Sequence, residues 1–316
     1  MKILKIVFIN ILFLIGILII AEIASFAMGY KMQYAFIMNK KATLDYMVSR
    51  YFVDASREYY DVPNKKMRPI AGENFKKNPI ILFGCSVTYG NLLKDNENFS
   101  GVLSKITKRP VYNMAGDGWT FVHMLKNLQS NPTIENINPD YIIYTYIIDQ
   151  KRRLFFYQGW PHDTGLYLRY KIDRHNKLVE VKEEYPLYWR SAFIKTMQIF
   201  IQQVNVLNTE KTSKLMLRIL DESVKIMKQR YPHAKLIMLL YDDPDCERGA
   251  REIYDNNYYL SQDELKAIKN MGFEIVNIEE EMGFPTCTFD YKIDNHHPSA
   301  KFWNEFTPKL VKKFNM

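Results

Sequence analysis

The feature that most constrains the fold is an alternation, from residue 78 to the end of the chain, of short apolar segments with helix-like stretches. The most strongly β-prone segment, residues 141–148, reads Tyr-Ile-Ile-Tyr-Thr-Tyr-Ile-Ile, which is typical of a strand buried on both faces. Strands that alternate with helices pair in parallel, because each helix returns the chain to the start of the next strand. The sequence therefore predicts an α/β domain with a mostly parallel sheet and helices on both faces.

Five strands and five helices make up this predicted domain. The strands are expected at residues 79–83, 111–114, 141–148, 234–241 and 273–278. The helices are expected at residues 99–106, 121–128, 213–229, 262–270 and 299–314, the last with Ser299 as its N-cap. The alternation breaks between about residues 150 and 209, which predicts an insertion with a hairpin over 166–181 and a helix over 191–204.

The first 28 residues form a separate apolar segment, and residues 29–77 read as a connector to the domain at 78–316. The apolar stretch is long enough to span a bilayer and is broken mainly by Asn10 and Glu22. We predict a transmembrane signal anchor at 1–28, because the stretch is long for the core of a cleaved signal. The alternative is a secretory signal cleaved at Ser25-Phe26-Ala27, and in either case we expect the domain outside the cytoplasm.

Charge and cysteine usage exclude some classes of function. The formal charge of the 316 residues is +8, but the lysines and arginines are scattered, which argues against nucleic-acid binding and suits work beside anionic lipid or an anionic envelope polymer. The three cysteines lack metal-ligand spacing, so we predict no metal and no organic cofactor. Cys246 and Cys287 could form a disulfide in an oxidising compartment.

Candidate site residues follow several of the predicted strands. Ser86 follows the first strand, Gly118 follows the second and Asp149 follows the third. Asp294 and His297 lie on a polar loop after the fifth strand. Because sites in parallel sheets form at the carboxyl ends of the strands, these residues are expected to meet. A serine nucleophile needs a base and a group that orients the base, and this set contains all three.

The same residues fall into sequence blocks that resemble the SGNH (GDSL-like) hydrolase superfamily over roughly residues 78 to 316. The blocks are Gly84-Cys85-Ser86 with Gly90, then Asn113 with Gly118, then Asp294-x-x-His297-Pro298. The resemblance implies a flavodoxin-like three-layer α/β/α sandwich with a five-stranded sheet. It also implies hydrolysis or transfer of acyl esters, often acetyl groups on carbohydrates.

Residue roles follow from the resemblance. Ser86 matches the nucleophile, His297 the general base and Asp294 its orienting partner, and the amides of Ser86 and Gly118 match oxyanion donors. Gly116 is the alternative donor, and His296 is the alternative base. For Ser86 the competing interpretation is an ordinary helix N-cap. Cys85 stands where the family usually has aspartate, and we expect it to be a small packed side chain.

The third block departs from the family pattern of Gly-x-Asn-Asp. Asp149 matches the aspartate, but Ile148 stands in place of the asparagine and cannot donate a hydrogen bond to an oxyanion. The third donor is then missing, or it is supplied from elsewhere, for example by Gln150 or the insertion. A weakened oxyanion hole would suppress hydrolysis and would suit a transferase.

The insertion is expected to determine the substrate. Its aromatic rings, and Trp119 beside the second block, suit sugar rings but could equally pack the insertion onto the domain. The aromatic residues of the insertion are Tyr157, Trp160, Tyr167, Tyr170, Tyr188 and Trp189. Arg152 and Arg153 could hold an anionic substrate or form local ion pairs.

The sequence thus predicts a membrane-anchored, extracytoplasmic esterase or O-acyltransferase that acts on acylated envelope carbohydrate, with a membrane acyl-donor partner if it transfers. One alternative is a non-catalytic glycan-binding or scaffold protein on the same fold, which Ile148 favours. The other is a lipid-directed acyl hydrolase.

Overall fold

The computed structural model describes residues 10, 11, 13–24, 68–116, 118–147, 150, 151, 154, 170–181, 209–241, 259–284 and 297–316. The chain divides into two compact units. The larger unit comprises residues 61–155, 168–181 and 208–316, and it contains every strand that the structure describes.

A five-stranded parallel sheet forms the centre of the larger unit, in the order β2-β1-β3-β6-β7. Its strands are β1 (Ile80–Phe83), β2 (Val111–Asn113), β3 (Tyr141–Ile147), β6 (Lys235–Tyr241) and β7 (Phe273–Asn277). Counted alone, these strands have the order 2-1-3-4-5, which is the flavodoxin-like arrangement of a doubly wound sheet. The predicted parallel sheet and its strands are confirmed.

Seven helices connect or flank the described strands: α1 (Ser86–Tyr89), α2 (Phe99–Thr107), α3 (Phe121–Ser130), α4 (Thr209–Arg230), α5 (Gln262–Met271), α6 (Ile278–Met282) and α7 (Ala300–Phe314). Helix α2 packs against α7, whereas α3 packs against α4 and α4 against α5. The sequence pattern did not predict α1 and α6, which are too short to show a helical period, although the family resemblance implied a helix that starts at the serine.

The two faces of β3 show why the helices form two layers. Side chains alternate along a strand, so Ile143 joins the apolar cluster of one face, which also contains residues of α2 and α7. On the other face, the ring of Tyr144 stacks on Phe121 of α3 with centroids 4.6 Å apart. Because both faces are covered, all seven residues of β3 are buried, which explains its continuous apolar sequence.

Polar caps fix where the helices begin. The side chain of Ser299 accepts a hydrogen bond from the Phe302 amide, so the predicted N-cap of α7 is confirmed. Thr120 and Ser261 cap α3 and α5 in the same way, each within a reciprocal capping box.

The predicted hairpin of the insertion is present as two short antiparallel strands, β4 (Tyr170–Ile172) and β5 (Leu178–Glu180). Glu180 forms an ion pair of 2.9 Å with Lys126 of α3. The hairpin is therefore fastened to the helix layer that covers one face of the sheet. The predicted helix at 191–204 and the cysteines at 246 and 287 lie outside the described residues.

Residues 68–77, which the sequence assigned to the connector, already contact the α/β unit. Ala71 forms an antiparallel bridge with Val111 at the start of β2. The ammonium group of Lys77 donates to the carbonyl of Thr107 at 3.0 Å. The edge of the sheet at β2 is thus covered by the chain that precedes the first strand.

The N-terminal segment contributes a helix at residues 10, 11 and 13–24, with large apolar side chains exposed. Within the described part of the chain, none of the helices has the length and apolar character that crossing a bilayer requires. The structure therefore does not confirm the predicted transmembrane helix at 1–28, part of which lies outside the described residues.

Candidate active site

Ser86 lies at a sharp turn from strand to helix. Gly84 follows β1 with φ of +155°, and a Cβ atom there would lie 2.2 Å from Oγ1 of Thr88. Cys85 is the N-cap of α1, and Ser86 is the first residue of that helix. The alternative interpretation of Ser86 as an ordinary N-cap is therefore wrong, because the position belongs to Cys85. Ser86 itself is largely buried.

The strand order places this turn where ligands bind in doubly wound sheets. From β1 the chain moves to β2 on one side, and from β2 it crosses to β3 on the other side of β1. The carboxyl ends of β1 and β3 are therefore neighbours whose following connections diverge and leave a crevice. Phe83, the last residue of β1, pairs with Tyr144 of β3, so Ser86 follows the strand that borders this crevice.

Asn113 connects α1 to the second sequence block. Its side-chain amide donates to the carbonyl of Thr88 at 3.0 Å and to the hydroxyl of Ser100 at 3.3 Å. Its side-chain oxygen accepts from the Ala115 amide at 3.2 Å. The buried side chain of Asn113 thus holds α1, α2 and the turn that leads to Gly118. The asparagine of the second block therefore has a structural role.

The predicted oxyanion donors lie at the first turn of α1 and in this second turn. Gly118 has a φ of +70°, which favours glycine. Within the part of the chain that the structure describes, the amides of Ser86 and Gly118 donate to no other group. Gly116 is required for packing, because a Cβ atom there would lie 2.5 Å from the ring of Trp119.

Gln150 does not replace the missing asparagine of the third block. The side chain is fully buried, accepts from the Tyr144 hydroxyl at 2.8 Å and donates to the Thr145 carbonyl at 3.3 Å. Both partners belong to β3, so the Gln150 side chain is held against that strand and does not face an open crevice. Ile148 and Asp149 lie outside the described residues.

The late loop is described only from His297, so Asp294 and His296 lie outside the described residues. His297 is half-buried and comes two residues before Ser299, the N-cap of α7. The first turn of α7 packs into the same apolar cluster as Cys85 and Val87, the neighbours of Ser86. The fold thus brings the serine segment and the histidine segment to the same face of the sheet. Their roles as nucleophile and base stay predictions.

For two of the aromatic side chains, the structure supports packing, which was one of the two alternatives that the sequence left open. Trp119 is buried and stacks on His123 with ring centroids 5.2 Å apart. Tyr170 is also buried, and its hydroxyl donates to Gln129 of α3 at 2.8 Å. The other aromatic residues of the insertion, with Arg152 and Arg153, lie outside the described residues. Among the described residues, no group of three or more acidic, histidine or cysteine side chains could hold a metal ion.

Arg68 is a residue near the site that sequence reasoning missed. Its guanidinium lies over the ring of Tyr89, the last residue of α1, at 4.7 Å. It donates to the carbonyl of Gly90 at 2.6 Å and forms an ion pair of 2.5 Å with Asp95. Arg68 therefore holds the end of the helix that begins at Ser86. No local pattern marks it, because the sequence placed it in the connector.

Comparisons with known proteins give structural similarity only. No family model matches the chain, and no curated protein matches it. A member of the lipolytic G-D-S-L family from Veillonella parvula is 12% identical, with a TM-score of 0.42 over 76% of this chain and 99% of that one. A family two carbohydrate esterase from Clostridium thermocellum is 8% identical, with a TM-score of 0.45 over 78% of this chain and 65% of that one.

It is the sequence blocks around Ser86, Asn113 and His297 that resemble the SGNH (GDSL-like) hydrolase superfamily. A further similar structure is a carbohydrate esterase family 2 enzyme with a carbohydrate-binding domain from Myceliophthora fergusii, 13% identical, with a TM-score of 0.43 over 78% of this chain and 67% of that one. The strand order and the two helix layers of the chain itself define its fold.

Proposed function

We propose that this protein is a serine-dependent esterase or O-acyltransferase of the SGNH type. The observation that carries the proposal is the position of Ser86, the first residue of α1 directly after β1, beside the crevice of the sheet. A hydroxyl at this place borders the crevice. The amides of Ser86 and Gly118 donate to no other backbone group among the described residues, which leaves them available to stabilise negative charge.

The reaction begins when Oγ of Ser86 attacks the carbonyl carbon of an ester and transfers its proton to His297. Asp294 orients His297, and the amides of Ser86 and Gly118 stabilise the oxyanion. The ester C–O bond then breaks, and His297 returns the proton to the departing alcohol. Water then hydrolyses the acyl-enzyme, or a second hydroxyl group takes the acyl group in a transfer reaction.

The proposed substrate is an O-acyl group, in particular O-acetyl, on an envelope carbohydrate outside the cytoplasm. Two features of the sequence support this location: the apolar segment at 1–28, proposed as a membrane anchor, and the formal charge of +8, which suits an anionic surface. A transferase would also need an acyl donor, which a partner membrane protein could deliver.

Ester turnover by the purified full-length protein tests this function. Short-chain nitrophenyl esters and an acetylated glycan would be assayed with Ser86→Ala, His297→Ala and His296→Ala. We expect Ser86→Ala to lower kcat by roughly 10⁴-fold or more and His297→Ala to have a similar effect, with His296→Ala near wild type. Cys85→Ala is the control for the neighbouring thiol and should keep activity. Turnover that survives Ser86→Ala would exclude the serine mechanism.

The second candidate is a non-catalytic glycan-binding protein on the same fold. The observation that favours it is the third block, where Ile148 cannot donate and Gln150 faces the core. A folded wild-type protein that turns over no ester, transfers no acyl group to an added acceptor and still binds glycan would support this candidate. A preference for long acyl chains would instead indicate a lipid-directed hydrolase.

A further inference from the structure

The fold collects the ends of several helices at the amino edge of the sheet. Helices α2, α4 and α5 each lead into the start of a strand, so they begin at the carboxyl edge and end at the amino edge. Helix α7 also ends at the amino edge, because the Tyr141 hydroxyl at the start of β3 donates to the carbonyl of Phe314 at 3.3 Å. The structure describes every connection that enters a strand at this edge, namely residues 68–79, 108–110, 131–140, 231–234 and Gly272.

Lysine side chains are concentrated at the amino edge, although the lysines are scattered along the sequence. Those near β1, β2 and β6 are exposed, and none of them forms an ion pair within the described part of the chain. They are Lys76, Lys77, Lys105, Lys108, Lys228 and Lys235. Side-chain carboxylates are fewer at this edge, because Asp140 is paired with Arg109, which leaves Glu73, Glu135 and Glu274. The amino edge therefore carries a net positive charge.

Helix ends account for only part of this charge. The negative end of a helix stabilises basic side chains in its last turn, such as Lys105 in α2 and Lys228 in α4. Lys76 lies in the chain before β1, and Lys235 is the first residue of β6, so the charge of a helix end does not explain these two. Because exposed like charges repel one another, their concentration favours a partner of opposite charge at this edge.

Apolar side chains lie among the lysines at the end of α2. Ile106 is 38% exposed, and the ammonium group of Lys108 lies 5.7 Å from the ring centroid of the half-buried Phe75. The hydrogen bond from Lys77 to the carbonyl of Thr107 holds the chain before β1 against the same end of α2. These side chains form one surface, the basic patch, which comprises Phe75, Lys76, Lys77, Lys105, Ile106 and Lys108.

A patch of this composition fits the surface of an anionic bilayer. Lysines near such a surface are attracted to the anionic headgroups, and apolar side chains between them enter the boundary with the acyl chains. A soluble polyanion would match the charges but would gain nothing from the exposed Ile106. The helix at residues 10, 11 and 13–24, with its exposed apolar side chains, also favours lipid as a neighbour of this chain.

We propose that the amino edge of the sheet, centred on the basic patch, binds the headgroups of an anionic lipid bilayer. The turn of Ser86 follows the carboxyl end of β1, at the other end of the strands. The seven residues of β3 span roughly 20 Å, so the crevice lies about that far from the bound surface and opens away from it. Under the proposed function, on which this consequence rests, the site faces envelope carbohydrate rather than acyl chains of the same bilayer.

Lysine footprinting of the full-length protein on vesicles tests the inference. The protein is mixed with vesicles of phosphatidylcholine, or of phosphatidylcholine with about one third phosphatidylglycerol, and the acetylation rate of each lysine is read by mass spectrometry. On the anionic vesicles we expect Lys76, Lys105 and Lys108 to react about fivefold more slowly than on the neutral ones. Lys214 and Lys266, which are exposed in the carboxyl-edge halves of α4 and α5, should react equally on both. About 0.5 M salt should remove the difference, because it screens exposed charges.

Two variants of the basic patch separate its charge from its apolar part. Lys105→Gln/Lys108→Gln removes two charges, so the remaining Lys76 and Lys77 should react on anionic vesicles within about twofold of their rates on neutral ones. Ile106→Ser leaves the charge unchanged. It should weaken the protection of the lysines on anionic vesicles but not the protection that long-chain polyphosphate gives without vesicles.

The matched control is Lys214→Gln/Lys266→Gln, which removes the same charge from exposed positions away from the amino edge and should leave Lys77 protected. Equal reactivity of the patch lysines on both kinds of vesicle would overturn the inference, and so would a failure to bind anionic vesicles. Stronger protection by polyphosphate than by anionic vesicles, unchanged in Ile106→Ser, would assign the patch to a soluble polyanion instead.

Ester turnover separates failure of this inference from failure of the proposed function. Both double variants should turn over a soluble nitrophenyl ester at the wild-type rate, because the substituted lysines lie away from the turn of Ser86. An acetylated glycan should be turned over equally on anionic and neutral vesicles, whereas hydrolysis of the vesicle lipids would contradict the proposed orientation. If the wild-type protein turns over no ester, the proposed function fails and the footprint still decides whether the basic patch binds lipid.

Discussion

An arginine forms a similar set of contacts at each of the two edges of the central sheet, but the two arginines hold different elements. At the amino edge, Arg109 donates to the carbonyl of Asn78 at 2.8 Å, pairs with Asp140 at 2.5 Å and lies over the ring of Tyr141. At the carboxyl edge, Arg68 likewise pairs with an aspartate, donates to backbone carbonyls and lies over a tyrosine ring. The first arginine joins strand beginnings, whereas the second holds the helix that starts at Ser86.

The difference shows how the fold separates stability from function. Connections at the amino edge are closed by backbone hydrogen bonds, such as the one from the Asp140 amide to the carbonyl of Pro79 at 3.0 Å. The carboxyl edge holds the candidate site residues, the ends of the insertion and three of the glycines at positive φ, namely Gly84, Gly90 and Gly118. Changes at the carboxyl edge should therefore alter activity, while comparable changes at the amino edge should alter stability alone.

The largest effect is expected from Gly84→Ala. A Cβ atom at position 84 would lie 2.2 Å from Oγ1 of Thr88 and 3.3 Å from the carbonyl of Thr145, so the turn that places Ser86 has to move. We expect kcat/KM to fall by about 100-fold, because small displacements of a nucleophile are costly. Esterase kinetics and thermal unfolding measure the two effects.

Gly272→Ala is the control for Gly84→Ala at the other edge. Gly272 ends α5 with φ of +108°, and the nearest atom to an added Cβ is Nζ of Lys228 at 3.5 Å. This variant should lose about 1–2 kcal/mol of stability through backbone strain and keep its activity. If Gly272→Ala reduced kcat as strongly as Gly84→Ala, the proposed separation of the two edges would be wrong.

The next effect in size is expected from Arg68→Ala compared with Arg109→Ala. The two side chains are 14% and 13% exposed, so both substitutions remove contacts of similar burial and should lower the unfolding temperature. Only Arg68→Ala should also reduce kcat, by about tenfold, because it releases the end of α1, the helix that begins at the proposed nucleophile Ser86. Equal kcat values in two folded variants would limit Arg68 to a structural role.

The strands and most helices could be predicted because their signals are local. The apolar run of β3 and the N-cap Ser299 need no knowledge of distant residues. The place of Ser86 could also be predicted, since it follows from where a strand ends. Arg68 and the buried ion pair of Lys151 with Glu264 in α5 could not, because their partners lie up to 113 positions away and no period or motif joins them. Short helix α1 follows from the family resemblance alone, because four residues show no periodicity.

A smaller, pH-dependent effect is expected from Glu264. Burial opposes ionisation of this carboxyl, but hydrogen bonds from Ser213, Lys151 and the Ser261 amide outweigh it and lower the pKa below the ordinary 4.5. A carboxyl with a lowered pKa in the folded state stabilises the protein above about pH 4.5 and loses that contribution as the pH falls through the folded-state value. Protonation of Glu264 in acid should therefore remove stabilising contacts at the carboxyl edge of the sheet.

Thermal unfolding of wild type and Glu264→Gln from neutral pH down to below pH 4.5 measures this contribution. The difference in unfolding temperature should be largest at neutral pH and should shrink as the pH falls. Ser213→Ala removes one of the hydrogen bonds that lower the pKa, so its curve should lose stability at higher pH than wild type. A temperature difference that stays constant across this range would contradict the assignment.

The smallest effect is expected from Leu92→Gly, which relieves strain in the loop after α1. Leu92 has a φ of +67°, and this backbone region disfavours side chains with a Cβ atom. The residue is 68% exposed. At the amino edge, Lys108 has φ of +57° at the end of α2. Glycine at either position should stabilise the protein by up to about 1 kcal/mol, since relief of strain exceeds the added freedom of the unfolded chain. Only Leu92 lies in the loop that Arg68 holds, so Leu92→Gly should change esterase kinetics and Lys108→Gly should not. If both variants keep wild-type kinetics, the functional part of the carboxyl edge is confined to the turns at Ser86 and Gly118.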